Sequence, residues 1–259
     1  MIAAGIEYAE AGQGPAVVYL HGIGGGISSF QAQLAGLAGH RNIAWNMPGY
    51  GASQAETWPP SFASLSAALA AFITTLDLGE VHLVGQSIGG MVALDHALRR
   101  PEQVHTLCLI GTTPSFGGRD DSFKSAFLKA RLAPLEAGQN MAEMAANAAP
   151  RLVGPGADKA VIDAVAAPLE QVSERAWRGI LECLVTFNRR DDLGQVKQPC
   201  CLIAGSHDQN APARTMEKMA AKLPRAEYHL IDGAGHMINQ EKPNETNAIL
   251  ADFLKRNSK

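Results

Sequence analysis

The stretch VHLVGQSIGGMVALDHALRR, residues 81–100, decides the fold class of this chain. Its first six residues form a continuous apolar run, which is typical of a strand buried on both faces. The residues from Ile88 to Arg100 have a helical pattern that ends before Pro101. Between strand and helix lies Gly85-Gln86-Ser87-Ile88-Gly89, a GxSxG motif in the context that this motif requires. The sequence therefore predicts a sharp strand-to-helix turn with Ser87 at its apex.

Such a turn can expose a serine hydroxyl for attack on a substrate. Gly85 and Gly89 lack the β-carbons that would collide with the neighbouring strand and helix. The helix that begins near Ile88 directs its positive end and its unpaired amides toward Ser87, where they would stabilise developing negative charge. The alternative is that Ser87 only caps a helix behind a glycine-rich packing turn.

Similar elements extend in both directions from this stretch. Short apolar runs predict strands at residues 16–21, 42–46, 81–86, 105–111, 200–205 and 227–232, and helical patterns cover segments such as 62–76, 88–100 and 215–223. This alternation predicts an α/β fold with a mostly parallel sheet and helices on both faces.

The alternation stops between residues 112 and 192, where apolar residues recur at helical spacing. We expect four prolines to divide this segment into several short helices: Pro134, Pro150, Pro155 and Pro168. The prediction is a helical cap at residues 112–192, inserted into an α/β core formed by residues 1–111 and 193–259.

A serine hydroxyl needs a general base to become a useful nucleophile. His236 is the best candidate, because it follows the predicted strand at 227–232 in the flexible loop Gly233-Ala234-Gly235-His236. His207 is the main rival, and it is set aside because its neighbour Asp208 suits a different role. His236 is therefore predicted to accept the proton of Ser87.

The base needs a carboxylate that fixes its tautomer and stabilises its charged form. Asp208 lies in GSHDQNAP, residues 205–212, directly after a predicted strand, and it completes the chain order Ser, Asp, His. The alternative is a solvated loop aspartate that caps the next helix. Asp232 and Glu241 are weaker candidates for the same role.

Two backbone amides are needed to hold the oxyanion of an acyl-transfer reaction. Ile88, the residue after the nucleophile, is predicted to supply one. The glycine-rich loop HGIGGG, residues 21–26, is predicted to supply the other through Ile23, with Gly22 as second choice. His21 is expected to anchor this loop through a hydrogen bond.

Composition limits the partners and the location. The chain has 259 residues, 46% of them apolar and 18% charged, with a formal net charge of -3. This balance favours a small-molecule substrate over nucleic acid or an anionic membrane. The four cysteines are expected to be buried, reduced thiols of a cytoplasmic protein. No run reaches the roughly 20 apolar residues of a membrane span. Neither a metal nor an organic cofactor is expected, and the oligomeric state stays open, a homo-oligomer included.

Five blocks occur in the order that is found in one large family: HGIGGG, NMPGYGAS, GQSIGG, GSHDQNAP and GAGHMINQEKP. In them the chain resembles the serine-nucleophile branch of the α/β-hydrolase superfamily, and it is most similar to 3-oxoadipate enol-lactonase-like proteins and small carboxylesterases. The resemblance implies an eight-stranded core whose first two strands lie near residues 1–12. Asn46 replaces the aspartate usual before the PGxGxS block. Because Ser87 stands where dehalogenases and epoxide hydrolases carry aspartate, neither of those activities is expected.

The implied activity is hydrolysis of a small ester or lactone through an acyl-enzyme. The alternatives are a carbon–carbon bond hydrolase of ring-cleavage products, a non-hydrolytic enzyme with the same triad, and a ligand receptor. Relatives that cleave carbon–carbon bonds carry a cap arginine and an aromatic residue after the catalytic histidine. Arg190 suits the first feature, or else a salt-bridged surface turn, whereas Met237 departs from the second.

Residues of the cap and of the histidine loop are the candidates for substrate contact. Trp177, Arg190 and Met237 are predicted to contact substrate, although Trp177 is equally suited to packing between cap helices. Four further apolar residues either line the pocket or form a small core of the cap itself: Phe123, Phe127, Met141 and Met144.

Overall fold

A computed structural model describes residues 1–117 and 121–258. Eight strands form one sheet in the order β1-β2-β4-β3-β5-β6-β7-β8. The strands are β1 Ile2–Ala3, β2 Ile6–Ala11, β3 Ala16–Leu20, β4 Arg41–Trp45, β5 Val81–Gln86, β6 Val104–Ile110, β7 Cys200–Gly205 and β8 Ala226–Ile231. Strands β3 to β8 pair in parallel, while β2 pairs antiparallel with both β1 and β4. The predicted eight-stranded, mostly parallel sheet is confirmed.

Ten α-helices accompany the sheet in the described residues. They are α1 Gln31–Gly36, α2 Phe62–Thr75, α3 Ile88–Arg99, α4 Asp121–Glu136, α5 Met141–Leu152, α6 Lys159–Glu170, α7 Glu174–Leu184, α8 Ala213–Ala220, α9 Ile238–Glu241 and α10 Pro243–Arg256. Not one of these described helices combines the length and the apolar character needed to cross a lipid bilayer.

The sheet separates two hydrophobic cores because side chains alternate across each strand. Val18 and Leu20 of β3 join the core that also contains α2, α3, α8 and much of the segment between β6 and β7. Val17 and Tyr19 of the same strand join the core that contains α1 and α10. The predicted placement of helices on both faces is therefore confirmed, and the four cysteines are buried, free thiols.

The predicted cap, residues 112–192, carries helices α4 to α7. Its residues 118–120, and Lys259 of the predicted core, lie outside the described part of the chain. Pro155 separates α5 from α6, as expected, but Pro134, Pro150 and Pro168 each lie inside a helix, at its third residue from the end. The expected division into several short helices is present, with these three prolines in the last turns of helices and not between them. Each helix ends two residues after its proline, which removes a backbone donor and so favours the end of the helix.

Candidate active site

The residues of the candidate site lie where parallel strands end. Strand β3 has β4 on one side and β5 on the other, so the chain changes its direction of winding between β3 and β5. In open α/β sheets, ligands bind at such a switch point, outside the carboxyl ends of the strands. Ser87 directly follows β5, and the loop of Gly22 and Ile23 follows β3.

Ser87 adopts the backbone conformation expected of a sharp turn. Its φ of 56° and ψ of -123° lie in a region that residues with a side chain rarely adopt. The Ser87 amide donates to the carbonyl of Ile110 at 2.9 Å, and the hydroxyl of Thr112 donates to the carbonyl of Ser87 at 2.7 Å. These bonds from the end of β6 stabilise the strained turn.

Glycine is required on both sides of Ser87. A β-carbon at Gly85 would collide with the backbone of Gly89, and a β-carbon at Gly89 would collide with the carbonyl of Leu20 on β3. Helix α3 therefore begins in close contact with the sheet, as the motif predicts.

Ser87, His236 and Asp208 are brought together in one hydrogen-bonded line. Nε2 of His236 lies 3.1 Å from Oγ of Ser87, and Nδ1 of His236 lies 2.8 Å from Oδ2 of Asp208. The three side chains come from the loops that follow β5, β8 and β7. Both spacings allow proton transfer or hydrogen bonding during a reaction.

The environment of Asp208 favours its charged form. The carboxylate is buried, and burial by itself raises its pKa, but the positive charge of His236 and the hydrogen bond to it act in the opposite direction. The amides of Asn210 and Ala211 also donate to Oδ1, at 2.8 and 2.9 Å. Together these contacts hold the pKa of Asp208 below its usual value, so the residue is a buried carboxylate and not the solvated loop residue of the alternative.

The loop after β3 is held by His21. Nε2 of its buried ring accepts the amide of Met47 at 2.9 Å, so Nδ1 carries the proton and donates to the carbonyl of Gly22 at 2.7 Å. Burial lowers the pKa of His21 to about 4, which keeps the ring neutral. The anchoring role expected of His21 is present as these two hydrogen bonds.

The two amides predicted to hold an oxyanion are available. In the described residues, neither the amide of Ile23 nor that of Ile88 donates to a protein acceptor. The Gly22 backbone lies close to Ser87, because a β-carbon at Gly22 would be 3.2 Å from Cβ of Ser87. The hydroxyl of Tyr50 donates to the carbonyl of Ile23 at 2.7 Å and so fixes the next peptide of the loop.

The sequence of the chain matches one protein family over residues 17–249, described as the alpha/beta hydrolase family. The chain belongs to the α/β-hydrolase family.

Three relatives illustrate what this α/β hydrolase is similar to. A pimeloyl-[acyl-carrier protein] methyl ester esterase from Aromatoleum aromaticum is 30% identical, with 93% of this chain and 98% of that protein covered. The dihydrolipoyllysine-residue acetyltransferase component of an acetoin cleaving system from Pseudomonas putida is 28% identical over 94% of this chain, which spans only 64% of that relative. The crystal structure of the enol-lactonase from Burkholderia xenovorans has the same fold, with a TM-score of 0.86, 21% identity and 96% of each chain covered.

The α/β hydrolase has three residues that were predicted to contact substrate, and they lie in different surroundings. The amide of Met237 donates to the carbonyl of Leu152, and its sulfur lies 3.9 Å from Nε2 of Gln86, beside the site. Trp177 is buried, and its indole N–H points to the carbonyl of Arg131 in α4 at 3.5 Å. Arg190 is exposed at its guanidinium, where it donates to Oγ of Ser115 at 2.8 Å. Only Met237 is thus placed next to the triad by contacts in the described residues.

Apolar residues of the predicted cap pack mainly against each other and the core. Met141 and Met144 are buried in the larger core, and Phe127 packs edge-on against Phe116 at a ring distance of 4.7 Å. Phe123 remains 49% exposed. Met141 and Met144 therefore belong to a core that the predicted cap shares with the sheet, and Phe127 packs against it.

The rival triad residues have other partners. Asp232 accepts the hydroxyl of Ser206 at 3.0 Å, and Glu241 accepts two backbone amides. Asn46, the departure from the family pattern, donates to Glu7 of β2 and accepts the amide of Ile27, so it links β2 to the segment after the HGIGGG loop, with no hydrogen bond to the triad among the described residues. The sequence predicted no role for Thr112 or Tyr50. Tyr50 lies within the NMPGYGAS block, and this position could have indicated a role near the site.

One group of potential metal ligands exists among the described residues. Atoms of Cys201, Glu227 and His229 lie within 4.8 Å of one another at the β7–β8 edge. Both oxygens of Glu227 already accept Arg256, and one also contacts His229. The group lies near the starts of β7 and β8, whereas Asp208 and His236 follow the ends of these strands, so it is separate from the site.

Proposed function

We propose that this α/β hydrolase cleaves a carboxylic ester or lactone of a small molecule through an acyl-enzyme. The observation that carries the proposal is the line from Ser87 Oγ through the imidazole of His236 to Asp208, with contacts of 3.1 and 2.8 Å. Ser87 occupies a strained turn at the start of a helix, and the amides of Ile23 and Ile88 have no protein acceptor among the described residues. These are the parts that acyl transfer requires.

In the first half of the proposed reaction, Oγ of Ser87 attacks the carbonyl carbon while Nε2 of His236 takes the hydroxyl proton. The carbonyl oxygen becomes an oxyanion, which the amides of Ile23 and Ile88 stabilise. The carboxylate of Asp208 stabilises the imidazolium ion and keeps the proton of the neutral ring on Nδ1. His236 then gives its proton to the leaving alkoxide, and the acyl-enzyme remains.

In the second half, His236 takes a proton from water, and the hydroxide formed attacks the acyl carbon. Collapse of the second tetrahedral intermediate breaks the bond to Ser87 and releases the acid, and His236 returns its proton to Oγ. With a lactone, the alcohol and acid products remain one molecule. Both halves of the proposed reaction transfer only acyl groups and protons, so no atom changes its oxidation state.

The predicted cap, residues 112–192, is proposed to cover the site and select the acyl or alcohol group. Met237 is proposed to contact substrate directly, since its side chain lies next to Gln86 and the triad loop. Trp177 would influence substrate binding indirectly, because it packs α7 against α4 within the predicted cap. Arg190 would meet a substrate carboxylate only after releasing Ser115, which makes its proposed contact conditional on an acidic substrate.

Turnover of p-nitrophenyl acetate and butyrate tests the proposal. Replacement of Ser87 by alanine is expected to lower kcat by at least about a thousandfold and to abolish labelling by a fluorophosphonate probe. Ser28→Ala, at an exposed position in the loop after β3, is the matched control and should keep wild-type activity.

A wider screen separates the reaction types. Aryl esters, lactones and ring-cleavage dienoates are offered to the wild type and to Ser87→Ala. Serine-dependent turnover of esters or lactones supports the proposal. Turnover of dienoates alone would replace it with carbon–carbon bond hydrolysis, and stabilisation by a ligand without turnover of any substrate would indicate a receptor.

A further inference from the structure

The loop that carries His236 is bonded to the end of α5 in the predicted cap. The carbonyl of Leu152 accepts the amide of His236 at 2.7 Å and that of Met237 at 3.0 Å. These bonds join residues of the cap to the backbone of the proposed base itself. The position of the imidazole therefore depends on a contact with residues more than 80 positions earlier in the chain.

The side chain of Glu241 also joins the end of α5 to the loop that carries His236. One carboxylate oxygen accepts the amide of Gly154 at 2.8 Å, and the other accepts the amide of Gly235 at 2.7 Å. Gly154 follows α5, while Gly235 directly precedes His236. Bonds from amides to a carboxylate are charge-assisted and stronger than those between neutral groups. A single side chain thus bridges the cap and the histidine loop.

Glu241 is well placed to hold this bridge. It ends the short helix α9, and its own amide donates to the carbonyl of Met237 at 2.9 Å. This helical turn fixes the distance between Glu241 and Met237, the residue that follows His236. The side chain can therefore reach back to Gly235 without ordering a long, flexible segment.

The two backbones approach too closely for any side chain to lie between them. A β-carbon at Gly154 would collide with the carbonyl oxygen of Gly233, and one at Gly235 would collide with the backbone of Val153. Neither glycine has a positive φ, so the close approach itself, and not backbone conformation, requires glycine here.

From these contacts we propose that Glu241 is a positioning residue, which couples segment 152–154 of the cap to the imidazole of His236. The inference rests on the proposed function, because it concerns the base of that reaction. A glycine-rich loop such as 233–235 does not fix the direction of the next side chain by itself. Proton transfer from Ser87 requires a fixed Nε2–Oγ distance, and Glu241 supplies that constraint through Gly235. Displacement of segment 152–154 moves the base away from the nucleophile.

Glu241→Gln tests the inference, because glutamine has the same shape but only one oxygen for the two amides. We expect kcat for p-nitrophenyl acetate and the rate of fluorophosphonate labelling of Ser87 to fall about tenfold, with KM changed less than about twofold. Glu245→Gln, an exposed position in the first turn of α10, is the matched control and should behave as wild type.

Gly154→Ala disturbs the same contact by a substitution on the cap side, because its β-carbon would push against the carbonyl oxygen of Gly233. It should lower the labelling rate by a similar factor, and the double variant with Glu241→Gln should be no slower than the slower single variant, because both remove one coupling. Gly194→Ala, where a β-carbon meets open space, is its control.

Two kinetic outcomes overturn the proposal. Either Glu241→Gln lowers the melting temperature yet labels at the wild-type rate, or the effects of the two variants multiply. Hydrogen exchange gives a readout independent of activity: the amides of Gly154, Gly235 and His236 should lose protection in Glu241→Gln. If the wild type is not labelled at all, the proposed function fails, while unchanged protection in the variant specifically refutes the coupling.

Discussion

Nδ1 of His21 lies 2.7 Å from the carbonyl oxygen of Gly22. That carbonyl belongs to the same peptide unit as the amide of Ile23, the proposed oxyanion donor. Because a peptide unit is planar, a bond to its oxygen fixes the direction of its N–H. His21 therefore orients the amide of the proposed oxyanion donor, while the amide of Met47 fixes the tautomer of His21.

Replacement of His21 by leucine is expected to lower kcat for p-nitrophenyl esters by at least about tenfold, and by less than the hundredfold or more that follows loss of an oxyanion donor. The reason is that the amide of Ile23 remains present but is no longer held toward the reacting carbonyl. Steady-state kinetics measure the effect, with KM expected to change less than kcat.

His40→Leu is the control for this variant, since His40 is partly exposed and its Nδ1 contacts the carbonyl of Ala38 at 3.2 Å outside the site. Unchanged kcat in His21→Leu, together with a lower melting temperature, would mean that His21 stabilises the loop without orienting the oxyanion donor.

Thr112→Val removes the hydroxyl that donates to the carbonyl of Ser87 at 2.7 Å. The same carbonyl also accepts the amides of Gly90 and Met91, so the turn should survive with a loss of about 1 kcal/mol in the free energy of unfolding. Urea unfolding measures this loss, and labelling of Ser87 should slow a few-fold because its strained conformation is less well held.

Thr112→Ser keeps the hydroxyl and should retain both the labelling rate and most of the stability. Equal labelling rates for the valine and serine variants would show that the hydroxyl of Thr112 does not hold the nucleophile.

The sequence predicted an element best where the residues of that element alone indicate its bounds. Strands β5 and β7 have the bounds predicted from their continuous apolar runs, because both are central and buried on both faces. Strands β1 and β2 were expected only through the resemblance. The first has two residues, and the second alternates between buried and partly exposed positions at the antiparallel side of the sheet.

In the candidate site, too, residues in local motifs could be predicted, whereas contacts between distant segments could not. Ser87, Asp208 and His236 could be proposed because each follows a recognisable strand in a distinctive motif. Thr112 and Glu241 could not be assigned their contacts, because both act on the backbone of distant segments and no local pattern records which segments meet. The close approach of Gly154 to Gly233 likewise depends on how the predicted cap packs on the rest of the chain, which only the folded chain determines.

The free energy of unfolding is expected to decrease as the pH is lowered from about 6.5 to about 4, because three histidines are buried. Burial lowers the pKa of His21, His82 and His96 to about 4, whereas the unfolded chain titrates near the usual 6.5. Between these values the unfolded chain binds more protons than the folded chain, so the stability that these three histidines contribute is fully present above pH 6.5 and is lost as the pH falls toward 4. Each group contributes up to about 1.4 kcal/mol per pH unit.

Other shifted groups act outside most of this window. The pKa of His229 is raised to about 9 through its contacts with Cys201 and Glu227. This ring therefore favours the folded state fully below about pH 6.5 and loses that contribution as the pH rises toward 9. The lowered pKa of Asp208 matters below about pH 4, where its unfolded-state carboxyl becomes protonated. Urea unfolding at pH 7, 6 and 5 therefore has to be compared between a variant and the wild type, because both retain His229 and its contribution cancels in the difference.

His82→Asn tests one of the three, since asparagine can keep the contact with Thr106 that Nδ1 makes at 2.8 Å. The loss of unfolding free energy from pH 7 to pH 5 should be about 1–2 kcal/mol smaller in this variant than in the wild type, because one fewer imidazole takes up a proton on unfolding. Thr106→Ser retains His82 and should change the overall stability while keeping the wild-type dependence on pH. An identical dependence in His82→Asn and in the wild type would show that burial of His82 does not exclude its charged form.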